Sequence, residues 1–364
     1  MIDFRYHLVS LISVFLALAV GIVLGAGPLR ENLGSQLTGQ VEQLRTERDE
    51  LRTAHDELAL RTDELTGYIQ QTGPQLVAGT LEGESVAVIS DGDSLSPALD
   101  QVASLLRAAG AEEQLSIRLD PRLWDPAAEE ARTEALASLR EISPGLVADA
   151  ESTATSSSGR LAVLVARLAT DPAASPADRE AMWEVLSGQG LVAVDGDRSA
   201  SVDALIVAAT APGEHVVRAD DAAASAARAL LLQDVQTGLL ARLAEAQVPS
   251  VIAASTPGND DSAGMLRTAR GDARFAALST TDRLQEADGP VLAVLALVEQ
   301  TRGGEGSYGT ASDARSRVPE VSGLPADGGQ TDGGQMDGGQ TGEQESSPAD
   351  EDPAAGETSD GGEG

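Results

Sequence analysis

The chain of 364 residues carries a formal net charge of −33, and only 2% of its residues are aromatic. The negative charge argues against a nucleic-acid surface, because phosphate binding needs clustered cations, and the scarcity of aromatic residues predicts a core of Ala, Val, Leu and Ile. The chain has no lysine and no cysteine, which excludes a Walker-type phosphate loop, Schiff-base chemistry, disulfides and cysteine nucleophiles.

The first predicted element is an apolar run from Leu8 to Ala26, close to the roughly 20 residues that a membrane-spanning helix needs. We interpret residues 1–29 as a retained transmembrane anchor in contact with membrane lipid, because the run is longer than an export signal's apolar core and Asp3 offsets Arg5 in front of it. The exit "VLGAGPL" is an imperfect cleavage site, so a cleaved signal is the alternative. Arginines on both sides give little orientation bias, and we expect the large acidic domain outside the cytoplasm.

Residues 30–72 are predicted to form a coiled coil, because leucine recurs at every seventh position. The leucines at these d positions are Leu37, Leu44, Leu51, Leu58 and Leu65, and the a positions between them are Val41, Arg48, His55 and Thr62. Three polar a positions favour a low-order assembly with a fixed register, and a parallel homodimer is the simplest outcome. The alternative is one long amphipathic helix that lies on the chain's own globular domain.

Short apolar segments alternate with helical patterns over residues 75–310. The predicted strands are "SVAVIS", "QLSIRLD", "LVAVDG", "VDALIVAAT", "VPSVIAAS" and "FAALST". The predicted helices cover 97–109, 126–142, 160–169, 175–186, 221–246 and 290–300, with Ser96 as the first N-cap, Gly110 as its stop and "ESTATSSSG" as a break. This alternation indicates crossover units on a parallel sheet, and therefore an α/β layered domain of Rossmann-like or flavodoxin-like kind.

Residues 311–364 change to Gly, Asp, Glu, Ser, Pro and Gln, with a near repeat of Asp-Gly-Gly-Gln. Such a composition buries too little apolar surface to offset its ordering entropy, so we predict a disordered acidic tail.

Two Asp-Gly-Asp loops are the candidate sites for chemistry. Asp91 and Asp93 follow the first strand, where carboxylates can hold a hard cation, and Asp195 and Asp197 repeat the pattern. The alternative for both loops is ordinary turn chemistry. His215 is the one histidine of the α/β segment and is expected in a surface loop. No catalytic constellation is evident, so we do not expect an enzyme.

The opening "FRYHLVSLISVFLALAVGIVLGAGPL", the leucine heptad and the late stretch "STTDRLQEADGPVLAVLALVEQTRGGEGSYG" together resemble the actinobacterial copper transporter MctB family. The resemblance extends from about Met1 to Gly309. The residues of the late stretch that look like the family's end motif are Ser279, Thr280, Asp282, Gly289, Tyr308 and Gly309.

The resemblance implies a cell-envelope protein, at the outer membrane of mycobacteria and their relatives, that forms a channel and exports copper. Copper is then a transported ion rather than a bound cofactor, and no copper ligand is carried over. An outer-membrane pore is normally a closed barrel, whereas one spanning helix makes no channel in a monomer. A pore would need several anchors to associate, for which Gly21 and Gly25 match the small-xxx-small pattern.

Two other functions stay open. One is an anchored scaffold or solute-binding module that recognises an envelope protein. The other is an enzyme that uses Asp91 and Asp93 with a divalent metal.

Overall fold

The computed structural model describes residues 4–215, 222–256 and 264–320; within these ranges, the side chains of residues 25–38, 112–114, 212 and 222 are not described. The chain divides into two units, Met1–Ser322 and Gly323–Gly364. The predicted disordered tail from residue 321 onward lies outside the described residues.

A single helix, α1 (Phe4–Val77), joins the predicted anchor to the predicted coiled coil. The predicted boundary between residues 29 and 30 falls inside this helix, which also extends past residue 72. Near its end, Gly73 approaches another helix so closely that a Cβ atom there would lie 2.7 Å from Val291 Cγ2. The last turns of α1 therefore pack on the α/β domain, where Val77 is fully buried.

The α/β domain contains a mixed seven-stranded sheet in the described residues, with the order β3-β2-β1-β4-β5-β6-β7. Its strands are β1 (Ser85–Ser90), β2 (Glu112–Leu119), β3 (Val192–Gly196), β4 (Ala204–Ala209), β5 (Ser250–Ala254), β6 (Ser279–Asp282) and β7 (Ser307–Tyr308). Every neighbouring pair is parallel except β2 and β3, which are antiparallel. The α/β class is confirmed, and the choice between Rossmann-like and flavodoxin-like topology stays a prediction.

The prediction of a wholly parallel sheet is wrong at β3. Val192 and Val194 are buried while the residues between and after them are exposed. One buried and one solvated face is typical of an antiparallel edge strand, whereas β1, β4 and β5 are buried along their whole length as parallel central strands are.

Helices cover both faces of the sheet. They are α2 (Ser96–Ala108), α3 (Glu129–Ile142), α4 (Pro144–Thr153), α5 (Ser157–Thr170), α6 (Pro176–Gly188), α7 (Ala222–Ala246), α8 (Met265–Gly271) and α9 (Gly289–Thr301). Helices α2 and α9 pack together on one face beside the end of α1. The main core lies on the other face, where Ile89 and Ile117 of the sheet join side chains of α3, α5, α6, α7 and α8.

Several predicted boundaries shift in the structure. Ser96 is the first helical residue of α2 rather than its N-cap, and its hydroxyl donates to the carbonyl of Asp93. Gly110 follows α2 with φ of +87°, as expected of a residue that ends a helix. Helix α4 covers part of the predicted break, where the break proper shrinks to residues 154–156, and Ser156 Oγ accepts from the Gly159 N–H to cap α5.

Contacts with the α/β domain continue beyond the predicted boundary at residue 310. Ser316 pairs with Tyr308 as an isolated β-bridge. Asp313 accepts a 2.7 Å hydrogen bond from Arg270 Nη1. The stretch 311–320 therefore packs with the sheet edge at β7, although the sequence assigned it to the tail.

Candidate functional site

The chain reverses its direction of travel across the sheet between β1 and β4. From β1 it moves to β2 and β3 on one side, and from β4 to β5, β6 and β7 on the other. The carboxyl ends of β1 and β4 therefore lie at a topological switch point, which is where ligands of α/β proteins usually bind. Asp91 and Thr210 are the first residues beyond these two strands.

Asp91 is buried at this switch point, where its side chain is only 4% exposed. Its Oδ1 atom accepts a 2.7 Å hydrogen bond from the Thr210 N–H. Its Oδ2 atom lies 3.3 Å from His215 Nε2. Asp91 thus ties the end of β1 to the segment after β4.

His215 is not a surface-loop histidine, because its side chain is 8% exposed and lies beside Asp91. Its Nε2 atom is also 2.5 Å from Thr210 Oγ1. Trp124 packs edge-on against the imidazole with the ring centroids 5.2 Å apart. The hydrogen bonds at Nε2 and the indole contact together fix the orientation of the ring.

Asp93 faces a different environment from Asp91. Its side chain is 83% exposed and lies 3.5 Å from Arg118 Nε. In the described part of the chain, no group of three or more His, Cys, Asp or Glu side chains could hold a metal ion. A cation bound by Asp91 and Asp93 stays a prediction, and the two carboxylates have separate partners in this structure.

The second Asp-Gly-Asp loop shows turn chemistry. Asp197 Oδ1 accepts from the Ser199 N–H at 2.8 Å and from the Ser199 hydroxyl at 2.7 Å. Asp195 lies in β3, which runs antiparallel to β2, so this loop leaves the sheet at the amino ends of β1 and β2, opposite to the strand ends where Asp91 lies.

The end-motif residues meet around the buried carboxylate of Asp282. Its Oδ1 accepts from the Thr310 N–H and its Oδ2 from the Ala311 N–H, at 2.8 and 3.1 Å. Arg270 Nη1 donates to the same carboxylate at 3.0 Å, while Arg270 Nε donates to Thr280 Oγ1 at 2.9 Å. These bonds hold the carboxyl end of β6 to the strap that follows β7.

The other end-motif residues tie α9 to the same edge of the sheet. Ser279 Oγ accepts from Gln300 Nε2 at 2.9 Å. The Tyr308 hydroxyl donates to Glu299, and burial together with that carboxylate raises the pKa of Tyr308 above its usual range.

Two glycines of the motif are required by close approach and by backbone conformation. A Cβ on Gly289 would lie 1.8 Å from the carbonyl oxygen of Arg283. Gly309 has φ of +129°, and a Cβ there would meet the carboxylate of Asp282. In the described residues the end motif is a structural network, and these contacts account for its residue types.

The predicted membrane segment is apolar and fully exposed in this structure. Residues Phe4–Leu24 have a mean hydropathy of 2.6, with none of the segment buried. At a rise of 1.5 Å per residue the segment is about 31 Å long, close to the thickness of a bilayer's hydrocarbon core. Leu8 lies within it, whereas the side chain of Ala26 lies outside the described residues.

The leucine stripe of α1, by which we mean Leu44, Leu51, Leu58 and Leu65, is also exposed. These side chains are 62–71% accessible, and Val41 is 45% accessible. The alternative of a helix lying on its own domain is therefore wrong for this stretch, because burial of the leucines would be its signature. The side chain of Leu37 lies outside the described residues.

Sequence analysis did not identify Thr210, Trp124 or Arg270. Thr210 ends the segment "VDALIVAAT", so a search of every strand's carboxyl end would have found it. Trp124 and Arg270 carry no local signal, because their contacts depend on the order of strands in the sheet.

The chain matches the family described as "Copper transport outer membrane protein, MctB" over residues 1–319. It is 33% identical over 333 residues to the "Copper transporter MctB" of Mycobacterium leprae, covering 88% of this chain and 100% of that protein. It is 28% identical over 330 residues to the "Copper transporter MctB" of Mycobacterium tuberculosis strain H37Rv, covering 87% of this chain and 98% of the relative.

Proposed function

The chain belongs to the MctB family of copper transport outer membrane proteins, and on that premise we propose that it is a single-pass envelope protein whose role is copper efflux. In this proposal the protein is not an enzyme, and copper is its transported ion. The observation that carries the proposal is the family match over residues 1–319. The exposed apolar helix at the amino end supports its membrane attachment.

Retention of the anchor is supported by the size and continuity of α1. An apolar surface 21 residues long is not left in water, since soluble proteins rarely expose patches of more than a few hundred square ångströms. The helix continues without a break through the region where a signal peptidase would cut. We therefore propose that the amino end stays attached and that the acidic α/β domain lies outside the cytoplasm.

This arrangement is tested by fractionating cells and measuring the intact mass of the mature chain. We expect the full mass in a membrane fraction, and separation of inner from outer membranes identifies the compartment. A mature chain that starts after Ala26 and stays soluble without detergent would refute the anchor.

We propose further that the leucine stripe pairs with the same stripe of a second copy as a parallel coiled coil. A shared membrane gives both anchors the same direction, which favours a parallel pair. In that pair, Glu47 at a g position lies next to Arg52 at the following e position of the partner, which is an attractive contact. Leu60, which is 65% accessible, lies at an f position, away from the seam.

Single cysteines test this pairing cleanly, because the chain has none of its own. In a parallel, in-register dimer Leu51→Cys brings two thiols face to face and forms a disulfide-linked dimer on oxidation. Leu60→Cys is the matched control, and we expect it to remain uncross-linked. Equal cross-linking of both variants, or of neither, contradicts the proposed register.

The role in copper transport is tested by the copper content of cells that lack the protein. Deletion is expected to raise the copper content of the cells. Expression of the wild-type chain or of Leu60→Asp in the deletion strain is expected to return the copper content to the wild-type level. The double variant Leu51→Asp/Leu58→Asp is expected to fail, because charges at two d positions break the seam. Unchanged copper content after deletion would refute the role.

A solute-binding module is the second candidate, and it is favoured by the topological switch point, where α/β proteins usually bind ligands. A cleft of about 450 Å³ also opens between α1, α2 and the loop after β6, and its lining includes Gln70, Gln101 and Gln285. These amides and the carboxylate of Glu286, which also lines the cleft, suit a neutral or cationic polar ligand. Specific retention of a small solute, with normal copper content after deletion, would favour this candidate.

A further inference from the structure

His55 is an exposed metal-ligating side chain in the middle of the leucine stripe. Its side chain is 83% exposed, and its Nδ1 atom lies 3.7 Å from Asp56 Oδ1. It occupies an a position, between the d positions of Leu51 and Leu58. An imidazole there is costly to bury in a coiled coil unless its nitrogen atoms find partners.

In a parallel, in-register pair each a residue faces its own counterpart in the partner. His55 then lies opposite the partner's His55, and leucine layers close the seam above and below. Arg48, one heptad earlier, is long enough to turn its guanidinium out to solvent. The shorter imidazole stays near the seam, so two rings meet at this layer.

The ligand atoms of this layer favour a transition-metal cation. Asp56 and Glu57 follow His55 at the outward-facing b and c positions, where they add negative charge near the layer, while Asp49 is paired with Arg48. Acidic side chains raise the local concentration of cations. Imidazole nitrogen is a ligand for Cu, Zn and Ni, and among divalent first-row ions the affinity is greatest for Cu²⁺.

We propose that His55 and the partner's His55 form a two-imidazole site for one Cu²⁺ ion per dimer. This inference depends on the coiled-coil pairing proposed above, and the site is incomplete without the second copy. A bridging ion satisfies nitrogen atoms that the seam would otherwise leave without partners. Bound copper therefore also stabilises the dimer.

The test uses the full-length protein in detergent, with Cu²⁺ as the probe and Mg²⁺, which prefers oxygen ligands, as the control ion. We expect one tightly bound Cu²⁺ per two chains, with an electron paramagnetic resonance spectrum that shows two equivalent nitrogen ligands. At free Cu²⁺ about 100 times its dissociation constant, the dimer dissociation constant should fall about 100-fold by linkage. Mg²⁺ should have no such effect.

His55→Asn removes the ligand and keeps a side chain that parallel dimers accept at a single a position. We expect it to remain dimeric and to lose the tight Cu²⁺ ion. Thr62→Asn is the matched control, because it makes the same residue one heptad away and retains His55. Cu²⁺ bound at other places on this acidic chain contributes equally to His55→Asn and Thr62→Asn. The difference in bound Cu²⁺ between the two variants therefore reports the site at His55 alone.

The outcomes separate this inference from the dimer on which it depends. If Leu51→Cys fails to cross-link, the pairing itself is wrong and the site falls with it. If Leu51→Cys cross-links but the wild-type dimer binds no Cu²⁺, or His55→Asn binds it equally tightly, the metal site alone is refuted.

Discussion

Asp91 and Asp93 are two residues apart, yet the structure gives them opposite energetic roles. Asp91 is buried and accepts the Thr210 N–H, whereas Asp93 is exposed beside Arg118. Replacing each with alanine in the full-length protein therefore tests the geometry at the switch point. The matched pair separates a structural carboxylate from a solvated one in the same loop.

The magnitude follows from what each substitution leaves behind. Asp91→Ala deprives the buried Thr210 N–H of its acceptor, and an unsatisfied buried donor costs about 1–3 kcal/mol. The loss of the contact with His215 adds to that cost, so we expect the free energy of unfolding to fall by about 2–4 kcal/mol. Asp93→Ala should change it by no more than about 0.5 kcal/mol, as surface substitutions do.

Urea denaturation followed by tryptophan fluorescence measures both changes. The two tryptophans, Trp124 and Trp183, are buried in the α/β domain and report its unfolding. Trp124 also contacts His215, so the native emission of Asp91→Ala should shift, whereas that of Asp93→Ala should not. Equal losses in the two variants would refute the assigned roles. Stabilisation of the wild type by a divalent cation, abolished in both variants, would instead support a site that the two carboxylates share.

Three further predictions concern the end motif. Since tyrosine is neutral below its usual pKa of about 10 and the pKa of Tyr308 is raised in the folded state, its contribution to stability is complete below that pH and is lost as pH rises. The free energy of unfolding should therefore fall above about pH 10 by about 1.4 kcal/mol per pH unit. Tyr308→Phe should remove that pH dependence. Because the chain has no lysine and no cysteine, few other groups titrate in this pH range. Asp282→Asn should cost about 1.5–3 kcal/mol, because the buried charged acceptor of the Arg270 guanidinium is lost while Asp313 remains as its ion-pair partner. Asp313→Asn, at a partly exposed carboxylate on the same arginine, should cost about 1 kcal/mol or less by urea denaturation. Gly289→Ala should lower the free energy of unfolding by about 1–3 kcal/mol or more, because its Cβ would overlap the carbonyl oxygen of Arg283. A Gly289→Ala protein as stable as the wild type would contradict the close approach.

Sequence periodicity predicted the elements of the α/β domain better than their arrangement. The strand "SVAVIS" is apolar between its two terminal serines and was found at its predicted position as β1. By contrast, His215 and Asp91 are 124 residues apart in the chain. Their contact exists because β4 pairs with β1, and an apolar segment does not specify its neighbour in a sheet. The isolated sequence around His215 therefore looked like an ordinary loop.

The antiparallel direction of β3 is the other feature that the local sequence pattern did not predict. Its alternating burial is visible in "LVAVDG", where Val192 and Val194 are separated by the exposed Ala193. Because alanine is apolar, the sequence did not distinguish the exposed Ala193 from a core residue, and the segment resembled a continuous apolar run typical of a buried parallel strand. The end motif behaves similarly, since Asp282 and Gly309 become interpretable only once the strap after β7 lies against the end of β6.

The predicted membrane segment and the leucine stripe constrain how such a protein could conduct an ion. A single spanning helix satisfies its own backbone hydrogen bonds and encloses no aqueous path, and two helices pack without a lumen. In the proposed dimer, the polar a positions restrict the coiled coil to a small number of chains. A conducting path therefore requires several dimers to associate through their anchors. Gly21 offers an open surface for such contact, since no heavy atom lies within 4 Å of the position of a Cβ there. Pairing of the leucine stripes and association of the anchors are therefore separate steps in this proposal. The copper content of cells carrying Leu51→Asp/Leu58→Asp reports on the pairing of the leucine stripes.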